Sequence, residues 1–292
     1  MNQKKRIVFS VIKYGVLATF LFLVLYPFYH VLIASFSSGI DYTYGGIVWW
    51  PRRFSLENYM IVLNDKRLYS ALLVTFARVI IGTITAIFFT SMVSYAMSRK
   101  ELKYKRTFYG LSLVAMFFSS GIIPYFLVIK SIGLFDNFLV YIIPNMYNVF
   151  HMLVLSRFFK QIPEEYHDAA SMDGASEFRI WLKIYMPLSK PIISTISLWI
   201  AINQWSSYYD TMLFTNRESL HTLQYYLIKI IKEASLPPIA NIQLPPDVID
   251  YISPITVQFA AIVISIIPVI LFYPLISRVI IKGLQEGSLA FN

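Results

Sequence analysis

Residues 71–97 read ALLVTFARVIIGTITAIFFTSMVSYAM, a run with a single charge, Arg78. About 20 mostly apolar residues suffice for a helix to cross the hydrocarbon of a bilayer, and this run exceeds that. Its apolar residues do not alternate with polar ones, so it lacks the period of a barrel strand. Backbone groups in hydrocarbon must be satisfied within the segment, which leaves a helix. Five further apolar runs lie at about 11–34, 107–130, 137–158, 188–214 and 255–281. Well inside all six runs there are two charges, Arg78 and Asp210. Pro27, Pro124, Pro144 and Pro268 also lie within them, and spanning helices tolerate proline when neighbours satisfy the freed carbonyls. The expected fold is all-α: a polytopic membrane protein with about six transmembrane helices.

Composition agrees. Of the 292 residues 57% are hydrophobic and 14% charged, against roughly 25% charged in soluble domains. One soluble core could not hide that much apolar surface. There is no cysteine, which rules out disulfides, thiolate nucleophiles and Cys-based metal sites. The net charge of +9 does not point to nucleic acid, because the basic residues are spread between apolar runs. They report orientation instead. With the N-terminus inside, sixteen of the twenty-five Lys and Arg fall on the inner side and eight on the outer, with Arg78 in a span. The sharpest signal is SRKELKYKR at 98–106. Both termini are therefore expected in the cytoplasm. The first apolar run is too long for a cleavable signal sequence and reads as a retained span.

The outer segments carry aromatics, Tyr42, Tyr44, Trp49 and Trp50, and a Pro- and Ile-rich stretch at 235–246. They read as interfacial anchors and a surface loop, or as a docking face for an outside partner.

One inner segment, 159–187, reads FKQIPEEYHDAASMDGASEFRIWLKIYMP. It is too polar to span, yet it carries helix punctuation. Pro163 suits a first helical position, and Glu164 and Glu165 follow at the positive end of the helix dipole. Gly174 fits the position just past a helix end. Ser176 can cap a second short helix bearing Phe178, Ile180, Trp181, Leu182 and Ile184, and Pro187 is expected to end it. Ala169 and Ala170 give the first helix a slim side that another protein can approach. The pattern alone also allows an amphipathic segment lying on the membrane.

This segment resembles the EAA loop of ABC importer permeases, in the form found in the MalG-like and LplC-like carbohydrate group. The matching residues are Ile162, Pro163, Glu164, Asp168, Ala169, Ala170, Asp173, Gly174, Ala175, Ile184, Pro187 and Leu188. Asp168 stands where the family usually has Glu. The resemblance continues in SLENY (55–59), MFFSSGIIPYFLVIKSIGLFDN (116–137), NQWSSYYD (203–210) and KGLQEGS (282–288), whose ending departs from the family's. It implies one transmembrane domain over 1–292, with a permease core at about 71–282. It implies an ATPase-coupling loop carried by Glu164, Asp168, Ala169, Ala170, Asp173, Gly174 and Pro187. It implies as partners two cytoplasmic ATP-binding subunits, a second and usually different permease, and an extracellular or periplasmic sugar-binding protein. No cofactor is expected on this chain, since ATP would be bound by the partners; the G-x-x-x-x-G-K-[ST] phosphate loop is absent.

Polar residues within the spans are candidates for a sugar path. They are Asn203, Gln204, Trp205, Tyr208 and Asp210 in the fifth run, and Asn145 and Asn148 in the fourth. Aromatic rings stack on sugar faces, and amides and carboxylates bond hydroxyls. The same residues could instead be polar contacts between helices. His30, His151, His167 and His221 show no metal-ligand spacing, and no acid–base pair is apparent, so no enzymatic site is expected. The alternative function is an ion-coupled secondary transporter, which would want more intramembrane acids and two related halves.

Overall fold

A computed structural model describes residues 3–43, 45, 49–118, 120–235 and 253–289. The expectations for Tyr44, for 236–252 and for the side chains of 282–288 fall outside the described residues. Among those described, the secondary structure is helical. The helices are α1 (Gln3–Ser35), α2 (Gly39–Thr43), α3 (Glu57–Asn64), α4 (Lys66–Ser98), α5 (Lys105–Phe117), α6 (Ile122–Ser131), α7 (Val149–Phe159), α8 (Glu165–Met172), α9 (Glu177–Ile180), α10 (Met186–Leu188), α11 (Lys190–Ser206), α12 (Tyr209–Phe214), α13 (Leu223–Ser235) and α14 (Pro254–Leu289).

Three helices are long and apolar enough to cross a membrane, within α1, α4 and α14. The count rises to five if α5 with α6, and the turns at 138–145 with α7, are each one broken span. The remaining expected span, 188–214, divides into the 17-residue α11 and the six-residue α12. Three of the expected spans are therefore interrupted rather than continuous. The sequence carries local reasons for the breaks. Gly121 has φ +83° just before α6, a region open to glycine at little cost. Pro124 then falls in the first turn of α6, where a backbone N–H has no partner to lose. Pro144 likewise opens a 3-10 turn, Ile143–Asn145. Asn148 then starts α7, its Oδ1 accepting the His151 N–H at 3.0 Å.

The chain forms two compact units. One comprises 1–68 and 227–268. In it, Asn58 of the SLENY stretch is buried and donates to the carbonyls of Ser35 (3.0 Å) and Ser37 (2.9 Å). Its Oδ1 accepts from Thr256 Oγ1 at 2.9 Å. Trp49 rests against Phe22 and Tyr26 of α1, with ring centroids 5.9 Å apart in each pair, while Trp50 is exposed.

The other unit comprises 69–226 and 269–292. Its core joins Ala86, Ile87 and Tyr95 of α4, Leu155 and Phe159 of α7, and Ile196 and Ile200 of α11 to Ile180, Trp181 and Tyr185. At a loop corner Asp136 Oδ1 accepts from the N–H groups of Asn216 and Arg217, both at 3.0 Å. Those backbone hydrogen bonds, with the Arg217 guanidinium beside them, hold the Asp136 carboxyl below its usual range.

Candidate functional site

The segment 159–187 folds as a helix, a glycine turn and a second helix. Glu165 and Asp168 lie in the first turn of α8, where the helix dipole favours negative charge. The helix stops at Gly174, whose φ is +76°. The Ala175 N–H bonds the Ala170 carbonyl and the Gly174 N–H bonds that of Ser171, both at 3.0 Å. This is the paired 6→1 and 5→2 closure that glycine permits. Ser176 takes the extended N-cap conformation before α9, though its side chain makes no cap hydrogen bond.

Pro187 does not end the second helix. α9 runs into a π turn, Trp181–Tyr185, in which the Met186 N–H bonds the Trp181 carbonyl, and continues through α10. In a regular α-helix the Pro187 ring would clash with the carbonyl four residues back. The extra residue of a π turn shifts the register and relieves that clash.

Three side chains at the end of α4 and just beyond it tie this loop down. Tyr95 OH donates to Glu177 Oε2 at 2.5 Å. Arg99 Nη2 lies 3.0 Å from His167 Nδ1. A guanidinium cannot accept, so this nitrogen does, and Nε2–H faces Glu177 Oε1 at 3.0 Å. Lys100 Nζ donates to Glu164 Oε2 at 2.5 Å. Burial by itself would raise the Glu177 carboxyl, but the hydrogen bonds from Tyr95 and His167 outweigh it and leave it below its ordinary range. Of the two alanines, Ala169 is exposed, whereas Ala170 packs against the loop's own core. The outward face of α8 thus holds Glu165, Tyr166, Asp168, Ala169, Met172 and Asp173.

The intramembrane polar residues converge elsewhere in the same unit. Asn145, Asn148, Asn203 and Asp210 line one cavity of about 260 Å³. Arg78, His151, Gln204 and Ser207 complete its polar wall. Trp205 does not line it; it is buried edge-on to Phe76, at 5.4 Å between centroids. Tyr208 is partly exposed outside it. Asn145 and Asn148 each use one amide atom on backbone, at the Tyr141 carbonyl (3.1 Å) and the His151 N–H (3.0 Å).

The centre of the arrangement is Arg78, whose side chain is 2% exposed. Nη2 meets Asp210 Oδ2 at 2.5 Å, Nε meets Gln204 Oε1 at 2.6 Å, and Nη1 meets the Ser207 carbonyl at 3.3 Å. The guanidinium lies 4.7 Å over the Tyr141 ring. Among the described residues no cluster of His, Asp and Glu has metal-holding geometry.

This geometry describes a helical membrane protein with an anchored hairpin at one end of its spans and a polar cavity among them. No protein-family model matches the chain. The chain is 33% identical to the polygalacturonan/rhamnogalacturonan transport system permease protein YtcP of Bacillus subtilis, over 97% of this chain and 99% of that one. This chain belongs to the ABC-transporter permeases of carbohydrate uptake. Protein LplC of the same organism is 29% identical, with 90% of this permease and 88% of LplC covered. In structure, a chain of a bacterial ABC transporter involved in the import of the acidic polysaccharide alginate matches with TM-score 0.85 and 31% identity, covering 95% of this permease and 98% of that chain. The permease is a multi-pass membrane protein and not an enzyme, and the ion-coupled alternative falls with its family membership.

Arg78 and His151 were not among the residues expected to line a path, whereas Gln204 was and does. A signal for the first was present: Arg78 and Asp210 are the two charges inside apolar runs, and opposite charges in hydrocarbon seek each other. Gln204 adjoins Asn203 in the quoted stretch, but its orientation toward α4 is a matter of packing.

Proposed function

We propose that this permease lines part of the path by which an oligosaccharide derived from a polysaccharide enters the cell. The observation that carries the reading is the cavity where Asn145, Asn148, Asn203 and Gln204 converge beside a neutralised Arg78–Asp210 pair. Amide donors and acceptors suit hydroxyls, and pairing the ions removes a fixed charge that would repel or trap a substrate. Pockets for drug-sized ligands run to about 300–1,000 Å³, so this cavity suits about one sugar ring.

On this reading the loop 159–187 faces the cytoplasm, with both termini on the same side. Glu164, Asp168, Ala169, Ala170, Asp173, Gly174 and Pro187 belong to the element that couples to two ATP-binding subunits. Asp168 lies on the outward face of α8, and Gly174 sets the turn that presents it. ATP is bound by those subunits and none by this chain. A second permease of different sequence completes the path, and an extracellular sugar-binding protein delivers the substrate. The domain is one functional unit over 1–292, with its core at about 71–282.

The test is uptake together with co-purification. Asp168→Lys alters a side chain 67% exposed, whose contact is His167 Nδ1 at 3.3 Å, so little of the packing depends on it. We expect it to weaken recovery of the ATPase with the complex and to lower ATP-driven uptake by about tenfold, a change of about 1.4 kcal/mol. Asn203→Leu is expected to lower uptake while the ATPase still co-purifies. Full uptake by both variants would refute the assignment.

A further inference from the structure

We propose that a pocket at the start of α5 binds a phosphate-bearing anion, supplied in the membrane by the head group of an anionic phospholipid. The pocket has a volume of about 490 Å³. Four cations line it, Arg99, Lys100, Lys105 and Lys160, against the carboxylates of Glu164 and Glu165. Arg99 is paired with Glu101 at 3.3 Å and Lys100 with Glu164 at 2.5 Å. Lys105 and Lys160 form no ion pair among the described residues.

Both are nevertheless held in place, by neutral groups. Lys105 Nζ donates to the carbonyls of Ser98 (3.2 Å) and Arg99 (2.5 Å). Lys160 Nζ donates to Tyr109 OH at 3.3 Å and lies 5.1 Å over that ring. An ammonium has three donors, so Lys105 keeps one and Lys160 two. Two fixed like charges with unused donors are a site for an acceptor-rich anion, and phosphate oxygens meet that need.

The surroundings favour a lipid as the source. Lys105 is the first residue of α5, a helix with no buried side chain. Phe108 and Leu111, one and two turns on, are 49% and 61% exposed. A head group among the lysines would have an apolar helix beside it for its acyl chains. Basic pockets between spans attract anionic head groups. Glu164 and Glu165 also open the coupling hairpin, so the bound anion would border the element that moves with the ATPase. The proposal does not depend on which sugar is carried.

The experiment is native mass spectrometry of the purified transporter complex titrated with phosphatidylglycerol, with phosphatidylcholine as the neutral comparison. We expect phosphatidylglycerol to be retained preferentially. Lys160→Gln and Lys105→Gln are each expected to weaken retention by about tenfold, the effect of one charge-assisted hydrogen bond. Lys103→Gln, on the same loop but outside the pocket, should leave it unchanged. Inorganic phosphate in a parallel titration separates the sources. If it binds at the same lysines while phosphatidylglycerol is retained no better than phosphatidylcholine, the anion site stands and the lipid assignment falls. Equal retention of the two lipids with no phosphate binding, or an equal loss in Lys103→Gln, overturns the site.

Discussion

Arg78 on α4 and Asp210 at the start of α12 meet at 2.5 Å although 132 positions separate them. Arg78 is almost wholly buried and Asp210 keeps 26% of its side-chain surface exposed. The pair joins two helices where solvation by water is scarce, so its components are not independent. Removing one partner strands the other charge, at about 3–5 kcal/mol, while replacing both by apolar residues of similar volume is often neutral. Asp210→Leu alone should therefore destabilise strongly, and Arg78→Met with Asp210→Leu should recover most of the loss. Thermal unfolding in detergent of the single and double variants measures it. Additive losses would show that the pair is not coupled.

Gly82 is the neighbour that lets Gln204 reach Arg78. A Cβ at position 82 would lie 2.8 Å from Gln204 Nε2 and 3.1 Å from its Cδ. The amide cannot swing away freely, because it joins Arg78 Nε at 2.6 Å to the Tyr141 carbonyl at 3.4 Å. Gly82→Ala should cost about 1–3 kcal/mol by overpacking. Its effect should shrink when Gln204 is also changed to Ala, which a double-mutant cycle would detect.

Gly174 tests the hairpin by backbone alone. A Cβ there meets no heavy atom within 4 Å, so a substitution is opposed only by φ +76°. Gly174→Ala should lose about 1 kcal/mol, and Gly174→Asn less, since asparagine tolerates this region better. Hydrogen exchange of the 165–180 amides should rise in the alanine variant and stay near the parent in the asparagine one.

Glu177 gives the hairpin a pH dependence. Its carboxyl lies below the ordinary range in the folded protein. A depressed carboxylate contributes stability that is present above its unfolded value, about 4.3, and is lost as pH falls through the folded value. Hairpin protection should therefore be flat near neutral pH and drop below about pH 4.3. Glu177→Gln should flatten that acid limb in an exchange experiment run at several pH values. An unchanged limb would place the sensitivity elsewhere.

The membrane environment was legible because it is a bulk property: apolar runs of spanning length need no knowledge of neighbours. The ends of α8 were nearly legible for a local reason, although the helix starts at Glu165 and leaves Pro163, expected as its first residue, outside. Dipole preference and the left-handed glycine act within one turn, so Glu165 and Gly174 announce a start and a stop. Pro187 shows the limit of such rules. Proline's local preference predicts an end, but burial of Ile180, Trp181 and Tyr185 in the core keeps the chain helical through a π turn. Composition set six apolar segments, whereas their interruptions between Phe117 and Ile122, at 146–148 and at 207–208 are settled by caps and packing. The two charges inside the spans could be read from the sequence as an anomaly. Only the tertiary structure decided that they neutralise each other beside Gln204 and Tyr141, because a contact between α4 and α12 depends on how whole helices pack and not on anything written within a turn of either residue.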